Sequence, residues 1–187
     1  PTNFCFHLEK GEVFDTPQAI LSYSGSGLAK LSQQYHEIIR EHICRGAYKH
    51  AERPILINNW EATYFDFNEE KILEIAEQAQ KLGIEMLVLD DGWFGKRDDD
   101  NSGLGDWFVN EKKMNGSMAQ LAEKIHKMGM KFGLWFEPEM ISEDSDLYRA
   151  HPDWAFAVPG RVPNHGRNQL VLDMTRDDVR EYLLERL

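Results

Sequence analysis

Two stretches of the chain are the same sentence written twice: KLGIEMLVLDD at 81–91 and KMGMKFGLWFE at 127–137. Each reads as the end of a helix, a glycine stop, an apolar strand and a carboxylate, so the repeat aligns Asp91 with Glu137. A unit of strand, long loop and helix that recurs with a short helix-to-strand turn implies parallel strands and an α/β fold. The run Met86-Leu87-Val88-Leu89 is unbroken, which predicts a strand buried on both faces. It ends in Asp90, Asp91, Gly92 and Trp93. In parallel α/β folds the loops at the carboxyl ends of strands converge over one mouth, where ligands bind. Carboxylates accept from hydroxyls and an indole packs on a C–H face, so the composition of this strand end suits a polyol or sugar.

Further units surround this pair. Pro54-Ile55-Leu56-Ile57 runs into Asn58-Asn59-Trp60-Glu61, again an apolar strand with a polar and aromatic end. A helix is predicted from about Asn68, with Ile72, Leu73, Ala76 and Ala79 inward and Gly83 as its stop. Ser117 and Gln120 form a capping box before Leu121, Ala122, Ile125 and Met128, closed by Gly129. The strand Lys131 to Phe136 ends at Glu137-Pro138-Glu139. Residues 141–169 are a long excursion holding a short helix near Ser145 to Ala150. Within and just after it, 153–158 and 169–173 are expected to pair as a hairpin, the alternative being that 170–173 is a fourth barrel strand. Thr175 is expected to cap a helix carrying Val179, Tyr182, Leu183 and Leu187.

The start of the chain differs in texture. Residues 3–9 and 17–23 have strand composition around a turn at Lys10, Gly11 and Asp15, and Leu28, Leu31, Tyr35, Ile38 and Ile39 recur at helical spacing up to Gly46. The expected division is 1–24 as a β remnant, 25–52 as a linker helix and 53–187 as the main domain. A chain that begins Pro-Thr-Asn within a strand-like segment reads as cut from something larger.

Composition narrows the function. A net charge of −11 argues against a nucleic-acid binder, which needs a basic footprint. No window approaches a membrane span. Cys5 and Cys44 have no metal-type spacing and fit a reducing, cytoplasmic setting, although buried apolar roles suit them equally. The run Asp98-Asp99-Asp100-Asn101-Ser102-Gly103 imitates a calcium loop, yet the twelfth position is Val109 where a bidentate Glu is needed, so it reads as a solvated turn. The histidines show no paired ligand spacing, Gly103-Leu104-Gly105 does not follow a strand into a helix, and no serine nucleophile elbow is present. Neither metal nor cofactor is expected. From residue types alone, Asp91 and Glu137 are a candidate carboxylate pair for glycoside chemistry, where retaining enzymes hold two carboxyls roughly 5 to 5.5 Å apart. Trp60, Trp93, Trp107 and Trp135 together suggest sugar platforms; each alone also fits core packing.

NNWEATYFDF (58–67), LDDGWFGKRDDD (89–100), LGDWFVNEKK (104–113), GLWFEPEM (133–140), HPDW (151–154) and LVLDMTRDDVREYL (170–183) closely resemble the retaining α-galactosidases of glycoside hydrolase family 36. The resemblance implies the first half of a (β/α)8 TIM barrel, an eight-unit fold of about 250 residues, preceded by the end of a β-sandwich and a linker helix. It implies hydrolysis of terminal α-galactosyl residues with retention, on oligosaccharides of the raffinose or melibiose type, by a parent that forms a homo-oligomer. By the same resemblance Asp90 and Asp91 bind galactose hydroxyls, and Trp60, Trp135 and Arg167 contact substrate. That assignment moves Asp91 from catalysis to binding and leaves Glu137 without a role. The family's nucleophile lies in a KWDMNR-like motif and its acid/base after a later strand; neither occurs in these residues. The chain is therefore expected to supply half a galactose subsite and no chemical step. An α-N-acetylgalactosaminidase, a galactosyltransferase and a noncatalytic carbohydrate-binding fragment remain as alternatives.

Overall fold

The apolar run at 86–89 becomes strand β2 (Met86–Leu89), flanked in parallel by β1 (Leu56–Asn58) and β3 (Lys131–Leu134), in a computed structural model that describes residues 5–163 and 165–186. Leu56, Ile57 and Asn58 lie opposite Met86, Leu87 and Val88, which in turn lie opposite Lys131, Phe132 and Gly133. The register therefore brings all three strand ends to one edge. The repeat seen in the sequence is real in three dimensions: Gly83 and Gly129 both take φ +81°, each turning the chain out of a helix and towards a strand.

The expectation that β2 is buried on both faces holds for one face only. Leu87 and Leu89 are fully buried, in a core with Ile72, Ala76, Leu121 and Ile125, whereas Met86 and Val88 stay half-buried. Their face is the one to which Gly133 belongs: a Cβ on Gly133 would lie 2.6 Å from Met86 Cε. Helices cover the other side. Helix α3 (Glu69–Lys81) begins where Asn68 accepts from the Lys71 N–H at 3.0 Å. Helix α5 (Met118–Lys127) begins at the capping box of Ser117 and Gln120. Glu69 and Lys124, 2.7 Å apart, tie these helices together. Two single-turn helices lie in the loops that precede them, α2 (Trp60–Thr63) and α4 (Glu111–Met114).

The excursion after β3 is built from its own antiparallel pairings. β4 (Met140–Ile141) pairs with β5 (Leu170–Val171), and helix α6 (Asp146–Ala150), capped by Ser145, lies between them. The hairpin expected between 153–158 and 169–173 is reduced to a bridge of Ala155 with Leu172 and flanking bonds from Phe156 N to Val171 O and Asp173 N to Trp154 O, both 2.7 Å. β5 has its main partner in β4 and none in the parallel sheet. Arg167 and Asn168 take φ +51° and +62° between the paired Gly166 and Gln169, the geometry of a tight two-residue hairpin turn. Helix α7 (Asp177–Arg186) starts two residues after Thr175, the expected cap, because the Thr175 hydroxyl instead donates to Asp173 at 2.6 Å. Val179 and Leu183 bury its inner stripe; Leu187 lies outside the described residues.

The chain divides into two units, Pro1–Arg53 and Pro54–Leu187. In the first, helix α1 (Gly27–Ile38) continues into a π-helical turn, Ile39–Ile43. The strands expected at 3–9 and 17–23 do not form: residues 5–9 and 17–23 are without strand structure, and residues 3 and 4 lie outside the described ones. Strand composition alone gives no ladder without a partner strand, and two short segments are marginal as a pair. Segment 17–23 is instead held to α1, through Tyr35 Oη donating to Ile20 O at 3.1 Å and Ser22 Oγ to Gln34 at 3.3 Å. Among the described residues no helix is long and apolar enough to cross a membrane.

Candidate active site at the strand ends

The polar ends of β1 and β2 are laced together by amides. Asn58 Oδ1 accepts from the Trp60 N–H at 2.7 Å, and its Nδ2 donates to Asp90 Oδ2. Asn59, fully buried, accepts from the Asp90 N–H at 2.8 Å and donates to Thr63 Oγ1 at 2.9 Å. Asp90 Oδ1 accepts from the Asp91 N–H at 2.7 Å. Half-buried Trp60 stands edge-on to Tyr64 and Phe65, with ring centroids 5.3 and 5.0 Å away.

Successive side chains on a regular strand diverge, but Gly92 ends the regularity. Its φ of +98° turns the chain sharply, and a Cβ there would come within 3.0 Å of the Phe65 ring and 3.3 Å of Arg97 O. Asp91 turns into the protein and meets Arg97. The guanidinium donates from Nε to Oδ1 at 3.0 Å and from Nη2 to Oδ2 at 2.8 Å, while Nη1 donates to Ser102 O at 2.9 Å. Arg97 also lies 5.5 Å over the Phe65 ring. Lys113 fastens the same loop by donating to Phe65 O at 3.1 Å and Gly92 O at 3.2 Å.

At the third strand end, the Trp135 N–H donates to Leu89 O at 2.9 Å, extending the ladder by one residue. Half-buried Glu137 follows, and Arg167 reaches it from the hairpin turn with Nη2 2.8 Å from Oε1. Burial raises the Glu137 carboxyl above its ordinary value; Arg167 opposes the rise, and the nearby charges of Glu139 and Asp91 add to it. Asp91 and Glu137 thus face one edge, as the sequence repeat implies. The fork from Arg97 engages both oxygens of Asp91, which speaks against Asp91 as the nucleophile of the pair read from residue types.

Of the four tryptophans expected as platforms, two are not available. Trp93 and Trp107 are buried, and Trp93 Nε1 donates to Trp135 O at 3.0 Å. With Phe94 and Phe136 they form an aromatic core beneath the strand ends. Trp60 and Trp135 retain exposed surface. The acidic turn spends its carboxylates locally: Asp98 pairs with Lys113 at 2.7 Å, Asp99 accepts from the Asn101 N–H at 2.7 Å, and Asp100 lies 3.6 Å from Arg97. Among the described residues no three His, Cys, Asp or Glu side chains are grouped to hold a metal ion. Sequence reasoning missed Asn59, Arg97 and Lys113. Asn59 follows a strand, the one visible signal; Arg97 and Lys113 stand among other charges and read as solvated.

Residues 13–187 match the melibiase family. The chain is 58% identical over 184 residues to the bifunctional alpha-galactosidase/sucrose kinase AgaSK of Mediterraneibacter gnavus, covering 98% of this chain and 20% of that protein. It is 56% identical over 185 residues to alpha-galactosidase AgaA of Geobacillus stearothermophilus, covering 99% and 25% respectively. Among solved structures, the GH36 alpha-galactosidase AgaB from Geobacillus stearothermophilus superimposes with a TM-score of 0.82 at 58% identity, over 88% of this chain and 23% of that one. An AgaA variant in complex with raffinose gives a TM-score of 0.82 at 58% identity, over 87% and 23%. The chain spans a fifth to a quarter of the length of these curated relatives.

Proposed function

The chain belongs to the melibiase family, and from that premise we propose that it forms part of a retaining α-galactosidase acting on terminal α-galactosyl residues of raffinose- and stachyose-type oligosaccharides. Its βα units are the first half of a (β/α)8 barrel, and Trp60, Asp90, Asp91, Trp135 and Arg167 make one side of the galactose subsite. The observation that carries this reading is the frame around Asp90. A half-exposed carboxylate at a strand end, fixed by Asn58 while Asn59 holds the Asp90 backbone N–H, is preorganised to accept hydrogen bonds from a polyol. Trp60 and Trp135 offer apolar faces on either side in strand order, which suits the C–H surface of a sugar ring. Glu137 holds Arg167 against the same edge. Two structures of one relative bear on substrate: complexes of AgaA variants contain raffinose and stachyose.

Chemistry at the anomeric carbon falls to groups beyond the residues present here, since these contain no KWDMNR-like motif. The residues of this chain bind, orient and exclude water. The reaction needs no metal or cofactor. The cytoplasmic setting is carried over from the expectation drawn from the sequence. That the complete protein works as a homo-oligomer is carried over from the family resemblance alone.

The test is turnover of an aryl α-galactoside and of raffinose by the full-length protein that carries this chain, with and without a chelator. Hydrolysis of both, unchanged by the chelator, is expected. Failure on every α-galactoside, or turnover by the 187 residues alone above a heat-killed control, contradicts the reading.

A further inference from the structure

We propose that Arg97 is a positioning residue for sugar recognition: its buried fork sets the plane of the Asp91 carboxylate so that the outward lone pairs of Asp91 meet one hydroxyl of the galactosyl ring. The inference rests on the α-galactosidase reading above and gives a role to a residue that touches no substrate.

Arg97 is 0% exposed, an unusual state for a guanidinium. Stability does not explain it. A buried ion pair returns little over apolar side chains of similar volume, and Phe94 and Leu104, both fully buried, already supply an apolar environment in the same core. Geometry does explain it. Two of its nitrogens grip Asp91, and the third is held by the Ser102 carbonyl, so the guanidinium plane cannot rotate and the carboxylate cannot rotate against it. The backbone is wound tightly around the arginine. Gly103, at φ +78°, passes so close that a Cβ would lie 2.9 Å from Arg97 N, and the Gly92 turn closes on Arg97 O. Phe65 lies beneath the guanidinium and also against Trp60, which links the orientation of Asp91 to the aromatic wall at the first strand end. Charged groups around the pair are Asp90 on its own strand end, Asp100 in the acidic turn, Lys113 on the Arg97 carbonyl and Glu137 from the third strand. A lysine would match the charge but not the fork, so the arrangement depends on planarity as well as on sign.

The experiment uses the full-length protein, comparing wild type with Arg97→Met, Arg97→Lys and Lys113→Met on aryl α-galactosides that each lack one ring hydroxyl. Lys113 holds the same loop through the Phe65, Gly92 and Arg97 carbonyls and makes no bond to Asp91, so its variant reports loss of loop rigidity with the Arg97 fork itself kept. In wild type, one deoxy substrate carries a penalty that depends on Asp91. Arg97→Met should lower kcat/KM on the intact galactoside about 100-fold, the scale of an ångström-level misplacement, and erase the penalty at that one hydroxyl while keeping those at the others. Arg97→Lys should fall between, and Lys113→Met should lower the Tm and keep every penalty. Should Arg97→Met not fold, the Arg97→Lys pattern decides. Hydrolysis by wild type with all penalties intact or uniformly reduced in the arginine variants overturns the role of Arg97 alone. A wild-type protein that turns over none of the set overturns the α-galactosidase reading as well.

Discussion

Two carboxylates at neighbouring strand ends each hold an arginine, and the two pairs are opposites. Asp91 and Arg97 have side chains 7% and 0% exposed, whereas Glu137 and Arg167 are 18% and 66% exposed. Asp91 is gripped by a guanidinium from its own loop, packed beneath the surface; Glu137 is gripped by one at the tip of a hairpin. Solvent screens the second pair, while burial and the three nitrogens of Arg97 fix the first. One mouth thus has a rigid wall and an adjustable one. On the proposed function, rigidity at β2 would suit recognition of a single ring geometry, and adjustment at the hairpin would suit contact formed as the sugar arrives.

The sharpest way to break this contrast is to remove each partner in turn. Asp91→Ala strands a buried guanidinium, and a loss of about 3 to 5 kcal/mol is expected by chemical denaturation; Arg167→Ala should cost no more than about 1 kcal/mol. Equal losses would erase the distinction. Next in size is Asp106, which is buried and accepts the Asp146 and Leu147 N–H groups, both at 2.9 Å, thereby seating helix α6 in the excursion that carries Arg167. Burial pushes its carboxyl up against the lowering pull of those two bonds. Asp106→Ala should cost about 1 to 3 kcal/mol for the two stranded donors and weaken substrate binding through Arg167 while leaving discrimination through Asp91 intact. Ser117→Ala, at the start of α5, removes one cap for about 1 kcal/mol and should leave KM unchanged, calibrating what pure stability loss does to the mouth.

The smallest effect concerns pH. Because Glu137 has a raised value in the folded protein, its protonated form contributes stability that is complete below the ordinary value of 4.5 and lost as pH rises through the folded value. Denaturation midpoints measured across that window should decline with pH in wild type, less so in Glu137→Gln, and more steeply in Arg167→Ala, which lacks the opposing cation. A profile identical in all three would show that the hairpin arginine does not act on Glu137.

How much of this was legible in the sequence follows from the range of each interaction. Caps at Asn68 and Ser117, the glycine stops and the runs at β2 and β3 are set by residues within a turn of one another, and all were readable. Pairings between distant segments were not. β4 and β5 are two residues each, too short to carry a period, and strand-like composition near the chain start found no partner. Direction was the second gap. Trp93 and Trp107 have the same residue type as Trp60 and Trp135, but the positive φ at Gly92 and the Trp93 bond to Trp135 O turn the first inward. Arg97 was hidden for a related reason: in the run GKRDDD nothing distinguishes the one charge that folds under the loop from those that face water.

A crystal structure of the full-length protein with galactose bound examines the whole account at once. It should place one sugar ring with hydroxyls within hydrogen-bond distance of Asp90 and Asp91, its C–H face against Trp60 or Trp135, and Arg97 unmoved behind Asp91. A ring bound elsewhere, or one that leaves both aspartates untouched, would contradict it.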